Sequence, residues 1–295
     1  MFSKVLIGVD GEEGGRDAIA LARLLVSRDG ELTVAYVFGE EPRDPGTRSG
    51  RSVASIRQHA VEVLGRACAE AQIEAHVRWR GSSSVGRGLH ELAEITEADL
   101  LVVGSSRQGL VGRVRLGDHT RAALNGAPCA IAVAPAGYHG QASPHLREIG
   151  VGYDGSAESE HALTVARTLA TGFGSGHSAF QAVSIPTYMY LGIDAESIED
   201  IVRNARERIA ALGGVEPHAA YGDPVEELTL YSASLDLLVV GSRSYGPLGR
   251  LVHGSTAQHL ARTARCPLLV LPRSARMVHG EDGAAQERIV TDGDG

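Results

Sequence analysis

The chain spells one segment twice. DLLVVGSSRQGLVGRVRLG, Asp99 to Gly117, returns as DLLVVGSRSYGPLGRLVHG, Asp236 to Gly254, and a single offset of 137 links Gly104 to Gly241, Gly117 to Gly254, Cys129 to Cys266 and Pro135 to Pro272. The openings correspond too, KVLIGVDG at Lys4 to Gly11 against EIGVGYDG at Glu148 to Gly155, but at an offset of 144, so the stretches between differ in length. A period this long describes duplicated domains and not a solenoid of short repeats. The 295 residues divide into units at 1–138 and 146–274, each large enough to bury a core without a metal or disulfide, followed by residues 275–295. That last stretch sets Glu281, Asp282, Glu287, Asp292 and Asp294 against Arg276 and Arg288, a composition that predicts a disordered acidic tail.

Several classes of function are disfavoured by composition. A net charge of −8 lacks the basic stripe of a nucleic-acid groove. No apolar run is long enough to span a bilayer, and MFSKVLIGVDG has no secretory pattern, which together predict a soluble, cytoplasmic protein with no membrane partner. Cys129 and Cys266 are equivalent positions and Cys68 is unmatched, so a disulfide framework is not expected. The paired cysteines read as small apolar residues opening a buried strand. No CxxC or close His/Cys cluster suggests zinc.

Each half alternates strand and helix. Val5 to Val9 is an apolar run ending in Asp10-Gly11, followed by Ala18, Leu21, Ala22 and Leu25 at helical spacing. Ile149 to Tyr153, Asp154-Gly155, then Ala162, Val165, Ala166 and Leu169 repeat the pattern. Further strands are predicted at Leu32 to Phe38, Ile73 to Arg80, Leu100 to Val103 and Ala130 to Ala134, with counterparts at Ser178 to Ser184, Val215 to Tyr221, Leu237 to Val240 and Pro267 to Leu271. Helices are predicted around Val53 to Ala71 and Ala195 to Leu212, and again from Thr120 and Thr256. This rhythm implies an α/β fold, two tandem open parallel five-stranded sheets with helices on both faces, joined by a linker at Ala136 to Leu146. In such sheets ligands sit beyond the carboxyl ends of the strands, where strand order reverses. Those ends carry Gly8 and Asp10, Gly152 and Asp154, Val37 and Val183, and the loops opening at Gly104 and Gly241.

The second glycine loop reads Gly241-Ser242-Arg243-Ser244-Tyr245-Gly246, and Gly254-Ser255-Thr256 then opens a helix. Glycines admit close backbone approach and a helix N-terminus favours an anion, so the segment is a phosphate-site candidate, with Arg243, Arg250 or His253 as charge partners. A tight strand-to-helix turn is the alternative. The loop is neither a Walker A sequence nor Gly-x-Gly-x-x-Gly.

With duplication, loop and strand rhythm together, the chain resembles the universal stress protein family in its tandem two-domain form. Its ATP-binding members carry Gly, two residues, Gly, nine residues, then Gly-Ser or Gly-Thr. Gly241, Ser244 and Gly254-Ser255 occupy those places in the second half; Gly104, Arg107 and Gly117-Asp118 occupy them in the first. GVDG and GYDG, Gly222-Asp223-Pro224, and Ala127-Pro128-Cys129 support the resemblance. It implies an adenine nucleotide alpha hydrolase-like fold and ATP, alone or with Mg2+, as ligand. It also implies that Asp10 and Asp154 lie beside the nucleotide, and that Val37 and Val183 meet adenine through their backbones. Ribose and phosphates would border Gly241 to Gly246, and the distal phosphates would reach Gly254, Ser255 and Thr256. For the aspartates, a turn or helix cap is the competing role.

Arg107 and Asp118 depart from the pattern. A carboxylate stands where a hydroxyl would face phosphate, at a cost of about 4 kcal/mol for like charges ~4 Å apart at an effective dielectric of ~20. Arg107 offsetting Asp118, or itself serving as a phosphate ligand, is the alternative for the first half, and the second half is expected to be the better ATP site. No repeated nucleophile, base and metal set is present, and His59, His76, His90, His161, His177, His218 and His253 fit no nucleophile motif. The expected function is a nucleotide-binding stress-response or regulatory module without dedicated catalytic machinery. The alternatives are a nucleotide-free scaffold acting through its dimer surface and a slow ATPase. The resemblance also implies that the halves pack as an intramolecular pseudo-dimer and that two chains associate as a homodimer; the apolar last strands, AIAVAP and PLLVLP, have edges that need pairing or cover.

Overall fold

Apolar runs place the central strands between two layers of helix, while the edge strand at His76–Ser82 stays largely exposed. The computed structural model describes residues 1–39, 53–105, 114, 123–124, 127–141, 145–184, 195–242 and 255–272. The first half runs β1 (Phe2–Val9), α1 (Glu13–Leu25), β2 (Val26–Gly39), α2 (Val53–Ala71), β3 (His76–Ser82), α3 (Val85–Ile95), β4 (Leu100–Gly104) and β5 (Ala130–Ala134). The second runs β6 (Glu148–Gly152), α4 (Ala157–Phe173), β7 (Gly176–Val183), α5 (Ala195–Ala210), β8 (Glu216–Tyr221), α6 (Pro224–Tyr231), β9 (Leu237–Ser242), α7 (Ser255–Thr263) and β10 (Leu268–Pro272).

Within each half all neighbouring strands are parallel, in the order β3-β2-β1-β4-β5 and its repeat β8-β7-β6-β9-β10. The two sheets are not separate. β5 and β10 pair antiparallel, with Leu268 opposite Val133, Leu269 opposite Ala132 and Val270 opposite Ile131, giving one sheet of ten strands. This corrects the expected homodimer through the last-strand edges: each edge is occupied by its counterpart in the same chain. Closure through a short connector sets an effective concentration on the order of millimolar, which a second chain does not match. A further consequence is geometric. Because the junction is antiparallel, the carboxyl ends of the two sets of strands face opposite edges of the sheet.

Alternation along each strand feeds two apolar cores, one per face. Val5 and Ile7 point to the face covered by α1 and α4, with Leu21, Leu25, Ile149, Leu163 and Leu169. Leu6 points to the other, with Leu89, Leu101, Ile131, Leu238 and Leu260. Both cores run through both halves. Backbone ends are anchored in matching ways: Asp99 accepts N–H bonds from Ser3 and Lys4, and Asp236 accepts them from Arg147 and Glu148. Arg23 donates to the Ala71 carbonyl at the end of α2, and Arg167 donates to the Leu212 and Gly213 carbonyls beyond α5. Those carbonyls have no intrahelical partner, so a guanidinium serves both as donor and as favourable charge at the helix C-terminus.

The connector is not a plain loop. Tyr138–Gly140 forms a 3-10 turn preceded by Gly137 at φ +77, a backbone shape natural to glycine. The acidic tail, 275–295, lies outside the described residues.

Candidate functional site

Strand order reverses between β1 and β4, and again between β6 and β9, since α1 and α3 cover opposite faces, as do α4 and α6. These are the topological switch points where ligands of open parallel sheets bind. Gly8, Asp10 and Gly104 meet at the first, and Gly152, Asp154, Gly241 and Ser242 at the second.

The aspartates build identical turns. Asp10 Oδ1 accepts the Glu12 N–H and Asp154 Oδ1 accepts the Ser156 N–H, both at 3.0 Å. Gly11 and Gly155 follow at φ +83 and +76. This is the Asx turn that converts a strand into a helix start, so the turn role considered from sequence is present in both halves. Both side chains remain exposed at the strand ends.

Gly104 and Gly241 have a packing reason to lack a side chain. A Cβ at Gly104 would penetrate the Gly14 carbonyl of α1, and one at Gly241 would penetrate the Glu158 carbonyl of α4. The first turn of the helix thus rests directly on the end of the neighbouring strand. Ser105 and Ser242 follow, both buried, and the Ser105 N–H donates to the Ala134 carbonyl. Gly8 lies under Leu89 and Val103, and Gly152 under Leu228 and Val240, the same contacts from equivalent residues.

The two valines differ. Val37 is buried, and its methyls fill the space above Gly88 on α3. Val183 is half-buried, and its carbonyl already accepts the Gly222 N–H at 3.0 Å. The helices that follow β3 and β8 start from matched caps: Ser84 accepts the Arg87 N–H, and Asp223 accepts those of Val225 and Glu226. Ser255 and Thr256 open α7 as expected. Gly117, Arg107, Asp118, Arg243, Ser244, Gly246, Arg250, His253 and Gly254 lie outside the described residues.

Cys129 and Cys266 are buried immediately before β5 and β10, and burial pushes the Cys129 thiol up to about 12 and the Cys266 thiol up as well. They fill space, as the sequence implied. Among the described residues no group of three or more His, Cys, Asp or Glu could hold a metal, and no helix is long and apolar enough to cross a membrane.

Two polar clusters escaped sequence reasoning. Asp17 on α1 is buried and holds the connector, although its place one turn before Leu21 on the apolar stripe was a signal. Ser178 is buried too, donating to Glu148 Oε1 and lying against the Tyr231 hydroxyl, each at 2.7 Å. Nothing in strand periodicity distinguishes that serine from a surface one.

The profile of the universal stress protein family matches residues 1–135 and again 145–272. Universal stress protein Rv2005c of Mycobacterium tuberculosis is 30% identical over 60% of this chain, and the match spans 63% of that relative's length. Universal stress protein Rv2319c of the same organism is 27% identical over 91% of this chain and 99% of its own length. Among solved structures, a universal stress protein from Archaeoglobus fulgidus superposes with a TM-score of 0.66 at 18% identity, covering 92% of this chain and 98% of that one, a likeness of fold. Matched twice by one family profile, on two halves that repeat one strand order and one set of turns, the chain belongs to the universal stress protein family in tandem form.

Proposed function

We propose that the chain is an ATP-binding stress-response or regulatory protein without dedicated catalytic machinery, and that ATP occupies the second half. The observation that carries this reading is the β6/β9 switch point together with the helix that starts at Ser255 and Thr256. There Gly241 abuts the first turn of α4, Ser242 ends β9, and α7 begins at Ser255. The strand ends at a switch point are where a ligand of such a sheet sits, and the N-terminus of α7, with Ser255 and Thr256, favours an anion there. Mg2+ would accompany the phosphates. In the first half, Asp118 stands where the second has Ser255, which disfavours a triphosphate there. A nucleotide-free scaffold working through its last-strand edges is less consistent with the fold, because β5 and β10 consume those edges.

Mass spectrometry of the purified, denatured protein tests the reading. An adenine nucleotide at about one per chain supports it. Absence of nucleotide, together with no heat on titration with ATP, favours the scaffold.

A further inference from the structure

A carboxylate removed from water is costly unless donors surround it, with a penalty of several kcal/mol per ion even after relaxation. Asp17 is 2% exposed, and its surroundings come from one place. Oδ2 accepts the Gly137 N–H at 2.9 Å; Oδ1 accepts the His139 N–H at 2.9 Å and lies 2.6 Å from His139 Nδ1. All three donors belong to the connector between the halves. The left-handed turn at Gly137 aims two main-chain donors, two residues apart, at one side chain.

Between those donors Tyr138 turns inward. It is 3% exposed, in the same core as Leu146, Ile149 and Val151 of the second half and Phe2, Ala18 and Leu21 of the first. Its phenol is pushed up by burial and then by the negative charge of Asp236, a second-half residue. The connector continues into Leu146, whose carbonyl accepts the Ser175 hydroxyl, and then into β6. On the other side, α1 carries Gly14, whose carbonyl rests on Gly104 at the first switch point. The position equivalent to Asp17 in α4 is His161, which offers no carboxylate, so the device occurs once and at the fusion point.

We infer that Asp17, Gly137 and His139 form a latch that fastens the connector to α1 and thereby couples the first helix of one half to the first strand of the other. The coupling is a property of the fold and does not depend on nucleotide. Without it, the connector would be a tether, and coupling between the halves would be left to the β5/β10 junction, the shared cores and the Val114 N–H bond to the Ala264 carbonyl.

Hydrogen exchange on the full chain without nucleotide, followed by mass spectrometry, tests this. In Asp17→Ala, exchange over 137–141 should accelerate roughly 10- to 100-fold, the loss expected for hydrogen bonds to a charged group. Exchange in β6 (Glu148–Gly152) and in α1 should rise with it. His139→Ala keeps both main-chain donors and should give a smaller rise in the same three segments. Asp17→Asn preserves the shape and one acceptor and guards against simple misfolding; it should fall between wild type and alanine. Acceleration confined to 137–141, or none, in a folded Asp17→Ala or Asp17→Asn chain overturns the latch.

Discussion

The two halves share a strand order but fill equivalent core positions differently, and the difference shows what duplication preserves. In the first half the face of β1 toward α3 is filled by Leu6 and Leu92, both buried. The equivalent residues in the second are Gly150 and Tyr231, and a Cβ at Gly150 would collide with the Tyr231 ring and with Leu235. A large residue on the strand has become a large residue on the helix. The aromatic ring brings a hydroxyl that must be satisfied. Ser178, where the first half has Thr33, and Glu148, where it has Lys4, supply the chain of acceptors, while Lys4 instead reaches out to Glu97. Core volume has been exchanged freely. Backbone anchors have not: Asp10 and Asp154, Asp99 and Asp236, Arg23 and Arg167, and Gly104 and Gly241 do the same work in both halves.

If anchors are fixed and volumes exchangeable, the largest effects of substitution should fall on the glycine pair. Gly104→Ala and Gly241→Ala each drive a methyl into helix backbone, which cannot yield like a side chain, and each is expected to destabilise by about 3 kcal/mol or more. Gly155→Ala has open space around it and only a positive φ to strain, so about 1 kcal/mol is expected. Urea midpoints on the full chain measure all three. Equal, mild losses would remove the distinction between close approach and turn.

The volume exchange predicts a coupled pair. Gly150→Leu overpacks against Tyr231, and Tyr231→Leu removes the ring and one of the two partners of Ser178; each is expected to cost roughly 2 kcal/mol. Together they restore the first half's arrangement, so the double change should cost at least about 1 kcal/mol less than the sum of the two. Strict additivity in a double-mutant cycle would show that the two positions do not compensate each other.

A smaller effect separates the arginine anchors. Arg167 donates to two carbonyls at 2.9 and 2.7 Å, and Arg23 to one at 3.2 Å. Arg167→Ala should cost about 1 kcal/mol and Arg23→Ala about half that. Reversed order in thermal melts would mean the carbonyl bonds are not what these residues contribute.

The strands were legible because buried parallel strands read as unbroken apolar runs: Leu100 to Val103 and Ala130 to Ala134 emerge almost to the residue. β2 begins earlier than expected, at Val26, because the chain leaves α1 directly into strand and pairs Val26 with Phe2 across a register shift. The partner of each last strand was not legible. Periodicity reveals that the β5 and β10 edges need cover, and is silent on whether the cover comes from the same chain or another. The candidate glycines were legible as a pattern, but their pattern carried two meanings at once. Gly104 and Gly241 are required by helix contact whatever binds beside them, so glycine at those positions does not by itself report a ligand. Asp17 was hidden because a carboxylate on an apolar stripe gains meaning only from the donors that meet it, and those lie more than a hundred residues away.

Calorimetric titration of the full chain with ATP and Mg2+, repeated on Gly254→Glu and Gly117→Glu variants of native circular dichroism, decides the assignment of the nucleotide to the second half. One site should appear in the unmodified protein, vanish in Gly254→Glu, where a carboxylate meets the phosphates, and persist in Gly117→Glu. Two equally tight sites, no binding, or an affinity unchanged by Gly254→Glu would contradict it.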